Sequence, residues 1–205
     1  MSYVKYTCEK EVDKMDKEKI KQSIGDIFRK QVQKDSKVNN AYLLIDSKKL
    51  DIHMNIAEGE TGDIRANPQQ PNYMASVGKL FTSTIVSILY EKGELSFDDS
   101  IRKYLDAELL NNLHVYKGQD YTNNIKIKHL LKQTSGLYDN FWPLLEKIIE
   151  DKEFSISPRE AIIWGKNNLK PCCPPGKKTK YTDTNYHLLG LIIENITGKP
   201  FHEVL

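Results

Sequence analysis

The chain has 205 residues, 39% hydrophobic and 28% charged, enough for one domain with a packed core. Its 30 basic and 28 acidic residues leave a net charge of +2, so there is no electrostatic case for binding nucleic acid. No run of about 18 apolar residues occurs, so no helix is expected to span a membrane.

The amino-terminal stretch MSYVKYTCEKEVDKMDKEKIKQSI has no apolar core of the signal-peptide kind. The chain as written is expected in the cytoplasm, and export would need a leader upstream. Three cysteines, Cys8, Cys172 and Cys173, make no disulfide framework. Adjacent cysteines rarely bridge, because the geometry is strained. The five histidines are scattered, and neither a metal site nor a cofactor is expected.

Taken in order, residues 13–34 read as a charged amphipathic helix with Ile20, Ile24, Ile27, Phe28 and Val32 as its apolar stripe. Ala41–Asp46 and Leu50–Ala57 read as two strands of a hairpin turned by Ser47-Lys48-Lys49. The polar segment Glu58–Asn72 reads as a loop. It leads into Tyr73–Asp99, a loop entering a long helix that Gly93 stops. Val77, Leu80, Phe81, Ile85, Val86, Ile88 and Leu89 make that helix apolar nearly all round, so it is expected to be buried. Shorter helices follow at Ile101–Leu113, Ile125–Leu131 and Leu144–Asp151. Ser157-Pro158-Arg159-Glu160 is a capping box that opens Ala161–Leu169. Pro171–Gly176 is a rigid loop; Tyr181–Gly198 begins as a polar turn and becomes a buried helix, and Pro200 starts another.

Ser76 stands at the start of the long helix, with Lys79 three residues on, about one turn, so the two share a face. A hydroxyl beside an amine at a helix start can act as a nucleophile next to its base. The Ser-x-x-Lys pattern occurs three times, at Ser2–Lys5, Ser76–Lys79 and Ser100–Lys103. Ser2 lies in a polar terminus, and Ser100 follows an acidic turn where it reads as helix capping. Only Ser76 combines the pattern with an apolar helix. Gly78-Lys79 lacks the remaining residues of a phosphate loop, and Ser135-Gly136 lacks the first glycine of a nucleophile elbow. Asn195-Ile196-Thr197 fits a glycosylation sequon but lies inside an expected helix.

In order, Ser76-Val77-Gly78-Lys79, the stretch Ile127–Leu137, Pro175-Gly176 and the turn Tyr181–Tyr186 running into HLLGLIIENITGKPF resemble the serine β-lactamase and penicillin-binding superfamily. The likeness covers roughly residues 40–205 and falls on the class C β-lactamase, D-alanyl-D-alanine carboxypeptidase and esterase side. It implies an α+β fold in which helices flank an antiparallel sheet, beside a mostly helical subdomain. On this reading residues 1–205 are a single domain, with the helix and first strands in 1–60 and the motif-bearing helical region in 61–205. The resemblance makes Ser76 the acylated nucleophile and Lys79 the group that takes its proton, with a pKa expected to be lowered by burial and the helix start. Tyr181 would carry the proton to the leaving group.

Asp183 occupies the substrate-binding position where the family usually has Asn, in Tyr-x-Asn. A carboxylate cannot donate a hydrogen bond to a substrate amide, and it could pair with Lys79 instead. Tyr121-Thr122-Asn123 and Tyr138-Asp139-Asn140 fit the same pattern, but their surroundings do not match. The family's third motif, Lys or His, then Ser or Thr, then Gly on a late strand, is missing up to Leu205. The chain is therefore expected to lack the carboxyl-terminal strands of its fold, to be a poor catalyst, and to self-associate through an unpaired sheet edge. Two functions remain: a hydrolase acting through an acyl-enzyme on an ester, amide or β-lactam carbonyl of a small molecule or peptide, or a non-catalytic relative or fragment that binds or is acylated without turnover.

Overall fold

The computed structural model describes residues 17–205; Cys8 and the Ser2–Lys5 match lie outside them. The chain divides into two compact units, one up to Tyr73 and one from Met74 on. Among the described residues no helix is long and apolar enough to cross a membrane.

In the first unit, helix α1 (Lys17–Lys34) packs on a sheet of β1 (Asn40–Ser47), β2 (Ile52–Thr61) and β3 (Ile64–Arg65), in the order β1-β2-β3 and antiparallel throughout. Leu43 faces Ile56 and Ile45 faces Met54 across the hairpin. Ile20, Ile24, Phe28 and Val32 are half-buried at a spacing of four, which is the helical repeat. Ile27 is exposed and lies off this stripe. The segment from Glu58 on is not all loop: β2 runs on to Thr61 and folds back through Gly62 into β3. Gly62 has φ +59, which a tight reversal needs.

The second unit is built around α7 (Thr184–Thr197). Its residues Leu188, Leu189, Ile192 and Ile193 are fully buried. Against them pack α2 (Gly78–Glu91), α4 (Ile127–Leu131), α6 (Pro158–Asn168) and α8 (Phe201–Val204), while α5 (Phe141–Glu150) comes between α4 and α6 in the chain. Each such buried side chain is worth about 1.5–3 kcal/mol of transfer free energy. The capping box at Ser157 forms: Ser157 Oγ accepts from the Glu160 amide at 3.3 Å, and Glu160 accepts from the Ser157 amide at 2.8 Å.

Two expectations change here. Helix α2 is buried on one face only: Thr82, Ile85, Val86 and Leu89 point inward, while Val77, Leu80, Phe81 and Ile88 are exposed. Its packing partner in this unit is α7, and one partner covers one face. The stretch Ile101–Leu113 is not one helix but a 3-10 turn (Ile101–Lys103) and α3 (Ala107–Leu110). Asp106 separates them, because its carboxylate caps α3 by accepting from the Leu109 amide at 2.9 Å. Beyond α3 lies a small hairpin, β4 (Val115–Tyr116) and β5 (Gln119–Asp120). Its two-residue turn places Lys117 and Gly118 at φ +51 and +82, the conformation such hairpins favour.

Tyr138 is a fixed point of the core. It is 2% exposed, its hydroxyl donates to the Ile162 carbonyl at 2.7 Å, and its ring lies against Gly165 of α6. A Cβ on Gly165 would fall 2.3 Å from Tyr138 Cε2. Replacing a helix glycine by alanine ordinarily gains about 1 kcal/mol. Here the sign should reverse: Gly165→Ala should lose about 1–3 kcal/mol through overpacking. Denaturant unfolding checks this, and an unchanged or raised midpoint would show that Tyr138 can move aside.

Candidate active site

Ser76 lies in a 3-10 turn (Ala75–Val77) that runs straight into α2, so one turn separates it from Lys79. The residue before it, Ala75, has φ +45, the left-handed region that costs a side-chain-bearing residue about 1–3 kcal/mol. Ser76 Oγ accepts two hydrogen bonds, from Lys79 Nζ at 3.1 Å and from the Tyr181 hydroxyl at 2.6 Å. Lys79 Nζ also pairs with Asp183 Oδ1 at 2.7 Å and sits 5.0 Å from the centre of the Tyr181 ring. The four side chains singled out in the sequence thus meet in one cluster. Lys79 and Asp183 are 18% and 22% exposed, whereas Tyr181 is 52% exposed, so the cluster is open toward solvent on the tyrosine side.

The other two Tyr-x-Asn matches are elsewhere. Tyr121 donates to Gln119 and meets the His114 ring edge-on. Tyr138 is in the core, and Asn140 donates to the Ala161 carbonyl. Ser100 caps its 3-10 turn by accepting from the Arg102 amide, while Lys103 pairs with Asp99.

What carries Tyr181 to Ser76 is a set of polar residues to which the sequence assigned no role: Ser135, Thr182, Thr184 and Asn185 are buried and Gln133 is half-buried. The side-chain oxygen of Gln133 accepts from the Thr182 amide at 3.0 Å and from Asn185 Nδ2 at 2.6 Å. Ser135 Oγ donates to Asn185 Oδ1 at 2.6 Å and accepts from the Leu137 amide at 3.1 Å. The hydroxyls of Thr182 and Thr184 both donate to the Tyr138 carbonyl, at 2.7 and 2.9 Å. Backbone bonds join the two segments as well: Lys180 donates to Gln133, Gly176 to Thr134 and Cys172 to Gly136. Gly136 is required, since a Cβ there would lie 2.0 Å from the Cys173 carbonyl oxygen. The signal available in the sequence was a polar run, Gln133-Thr134-Ser135, set between apolar Leu130-Leu131 and Leu137.

The charge on Lys79 differs from expectation. Burial works to strip its proton, but the Asp183 carboxylate and the Tyr181 hydroxyl outweigh burial and hold its pKa above the usual 10.5. Asp183 stands at the N-cap of α7 yet makes no capping bond with its side chain, which is turned to Lys79. Thr182 accepts from the Thr184 amide instead, at 3.1 Å. His187, on the next turn, is pushed below 6.5 by burial against the pull of Asp183. A cavity of about 520 Å³ opens beside Lys79 and His187, walled by Met74, Phe81, Leu191 and Phe201. Among the described residues no group of three or more His, Cys, Asp or Glu side chains is placed to hold a metal ion.

Residues 33–205 match the Beta-lactamase family, and the chain belongs to that family. It is similar to the protein Flp of Staphylococcus aureus (strain MW2), 30% identical over 142 residues that make up 69% of this chain and 26% of Flp. The penicillin-binding protein of Bacillus halodurans superposes with a TM-score of 0.65 at 26% identity, over 85% of this chain and 50% of that one. The D-amino acid amidase of Ochrobactrum anthropi SV3 shares the fold, with a TM-score of 0.67 at 21% identity over 88% of this chain and 50% of that one. The chain thus spans about a quarter of the length of the curated relative and half that of the solved structures. The α+β architecture expected from the resemblance is the one observed.

Asp183→Asn should lower the Lys79 pKa, because the largest influence opposing burial is removed. A lysine-selective NMR titration reads this directly, and an unmoved midpoint would mean that Asp183 does not hold the charge. The sign for stability follows. A pKa raised on folding gives stability that is fully present below the unfolded value of about 10.5 and is lost as pH rises through the folded value. Wild-type chain should therefore lose more stability above about pH 10.5 than the Asn variant does.

Proposed function

We propose that the chain carries the acylating centre of a serine hydrolase that attacks an ester, amide or β-lactam carbonyl through an acyl-enzyme. The observation that carries this reading is a single hydroxyl, Ser76 Oγ, bonded at once by Lys79 and Tyr181. Membership of the Beta-lactamase family supports it. Ser76 Oγ would bond to the carbonyl carbon while its proton passes to Lys79, and Tyr181 would hand a proton to the departing oxygen or nitrogen. Lys79 must first give up the proton that Asp183 stabilises, so acylation should speed up with rising pH. Asp183→Asn should bring that rise to lower pH.

The same pair shapes the substrate. The Asp183 carboxylate offers no donor to a substrate amide, and it neutralises the one ammonium at the centre of the site. With an apolar cavity alongside, these features favour a small, uncharged, apolar ester over an anionic β-lactam.

A fluorophosphonate probe followed by intact-mass analysis, with a chromogenic ester assayed in parallel, tests the proposal. One adduct should form and be absent from Ser76→Ala; an adduct that persists there refutes the assignment. Lys79→Ala and Tyr181→Phe should each slow labelling by about 10²–10⁴-fold. The double variant should be little slower, because the two act on one proton. Labelling without ester turnover would identify a chain that is acylated but does not complete the cycle.

A further inference from the structure

Cys172 and Cys173 take no part in the cluster around Ser76. Adjacent residues in extended backbone send their side chains to opposite sides. Here Pro171, Pro174 and Pro175 hem the pair into a stiff loop, and the two free sulfurs lie 3.5 Å apart. Cys172 is half-buried and Cys173 is buried. A disulfide would need that gap closed to about 2.05 Å, in a strained small ring. An atom that bonds to both sulfurs needs no such closure. Tetrahedral metals want about four ligands, but no third His, Cys, Asp or Glu among the described residues joins the pair to hold one. Two soft thiols without further donors suit a soft centre with two open valences.

We propose that Cys172 and Cys173 form a two-thiol site for monosubstituted trivalent arsenicals, and that occupancy shifts the loop that positions Tyr181. An organoarsenic oxide would react without any change of oxidation state. Two arsenic–sulfur bonds form, the arsenic–oxygen bond breaks, and the oxygen leaves as water with both thiol protons. Cys172, the more accessible, attacks first. Cys173 follows, its thiol pKa raised by burial and by its neighbour.

Coupling to the site is short-range. The Cys173 carbonyl packs against Gly136 with no room for a Cβ, and the Cys172 amide donates to the Gly136 carbonyl at 2.9 Å. The next residue back, Ser135, holds Asn185. Further along, the Lys180 amide is bonded to Gln133, immediately before Tyr181.

Phenylarsine oxide, applied to a Cys8→Ser chain so that only the pair can react, tests the site. Intact mass should show one phenylarsenic adduct per chain. It should be removed by 2,3-dimercaptopropanol but not by an equal concentration of 2-mercaptoethanol, and be absent from folded Cys172→Ser and Cys173→Ser variants. Fluorophosphonate labelling of Ser76 should fall by about tenfold or more, since a shift of about 1 Å can cost up to ~10²-fold. No adduct, one that the monothiol strips, or one that survives either substitution overturns the site. A bridged adduct with unchanged labelling overturns the coupling. The labelling arm rests on the hydrolase reading; if untreated Ser76 takes no label, that reading fails and the mass measurement still decides the thiol site.

Discussion

The side-chain oxygen of Gln133 is the acceptor on which the arrangement of the site depends. It takes the amide of Thr182 and the amide group of Asn185, and so fixes the turn that presents Tyr181 to Ser76. Gln133 follows the end of α4 with φ +57, a position where helices usually place glycine. Holding a side-chain-bearing residue there costs about 1–2 kcal/mol. Two half-buried hydrogen bonds, each worth about 1 kcal/mol, offset that strain. A glycine would suit the backbone better and leave Asn185 and the Thr182 amide without their acceptor.

Around that frame the electrostatics of the site are set by one residue. An asparagine at position 183 would leave Lys79 as an ammonium losing hydration without a counter-charge, and burial would lower its pKa. With aspartate the sign reverses, and the lysine becomes a reluctant base held close to its serine. The cost of burying a charge is met here by pairing rather than by neutralisation.

Much of the helical unit could be read from sequence because its signals are local. The Ser157 capping box, the apolar stretch of α7 and the stop of α2 at Gly93 each span only a few residues. The spacing of Ser76 and Lys79 is local too, and the family resemblance joined Tyr181 and Asp183 to them. What escaped depends on contacts between distant segments. The burial of α2 could not be judged from its composition, because an apolar face is buried only where something covers it. The break at Asp106 was hidden by apolar residues on both sides, and the β4–β5 hairpin is too short and polar to show alternation. The network of Gln133, Ser135, Thr182, Thr184 and Asn185 looks in sequence like ordinary polar turn residues. Its burial becomes visible only when residues about fifty positions apart meet. The direction of the Lys79 shift needed both a distance and a charge, and composition supplies neither.

Tyr138 ties the site to the core at a single residue. Its hydroxyl is bonded to Ile162 inside α6, while its carbonyl receives the hydroxyls of Thr182 and Thr184 just beyond Tyr181. The consequence concerns time scale. Active-site loops usually open well below the free energy of global unfolding. Here the turn behind Tyr181 cannot open without releasing hydroxyls buried against a core residue. Amide hydrogens from Thr182 to Asn185 should then exchange with solvent about as slowly as those in the middle of α7, so that the scaffold of the site is among the last parts of its unit to let water in.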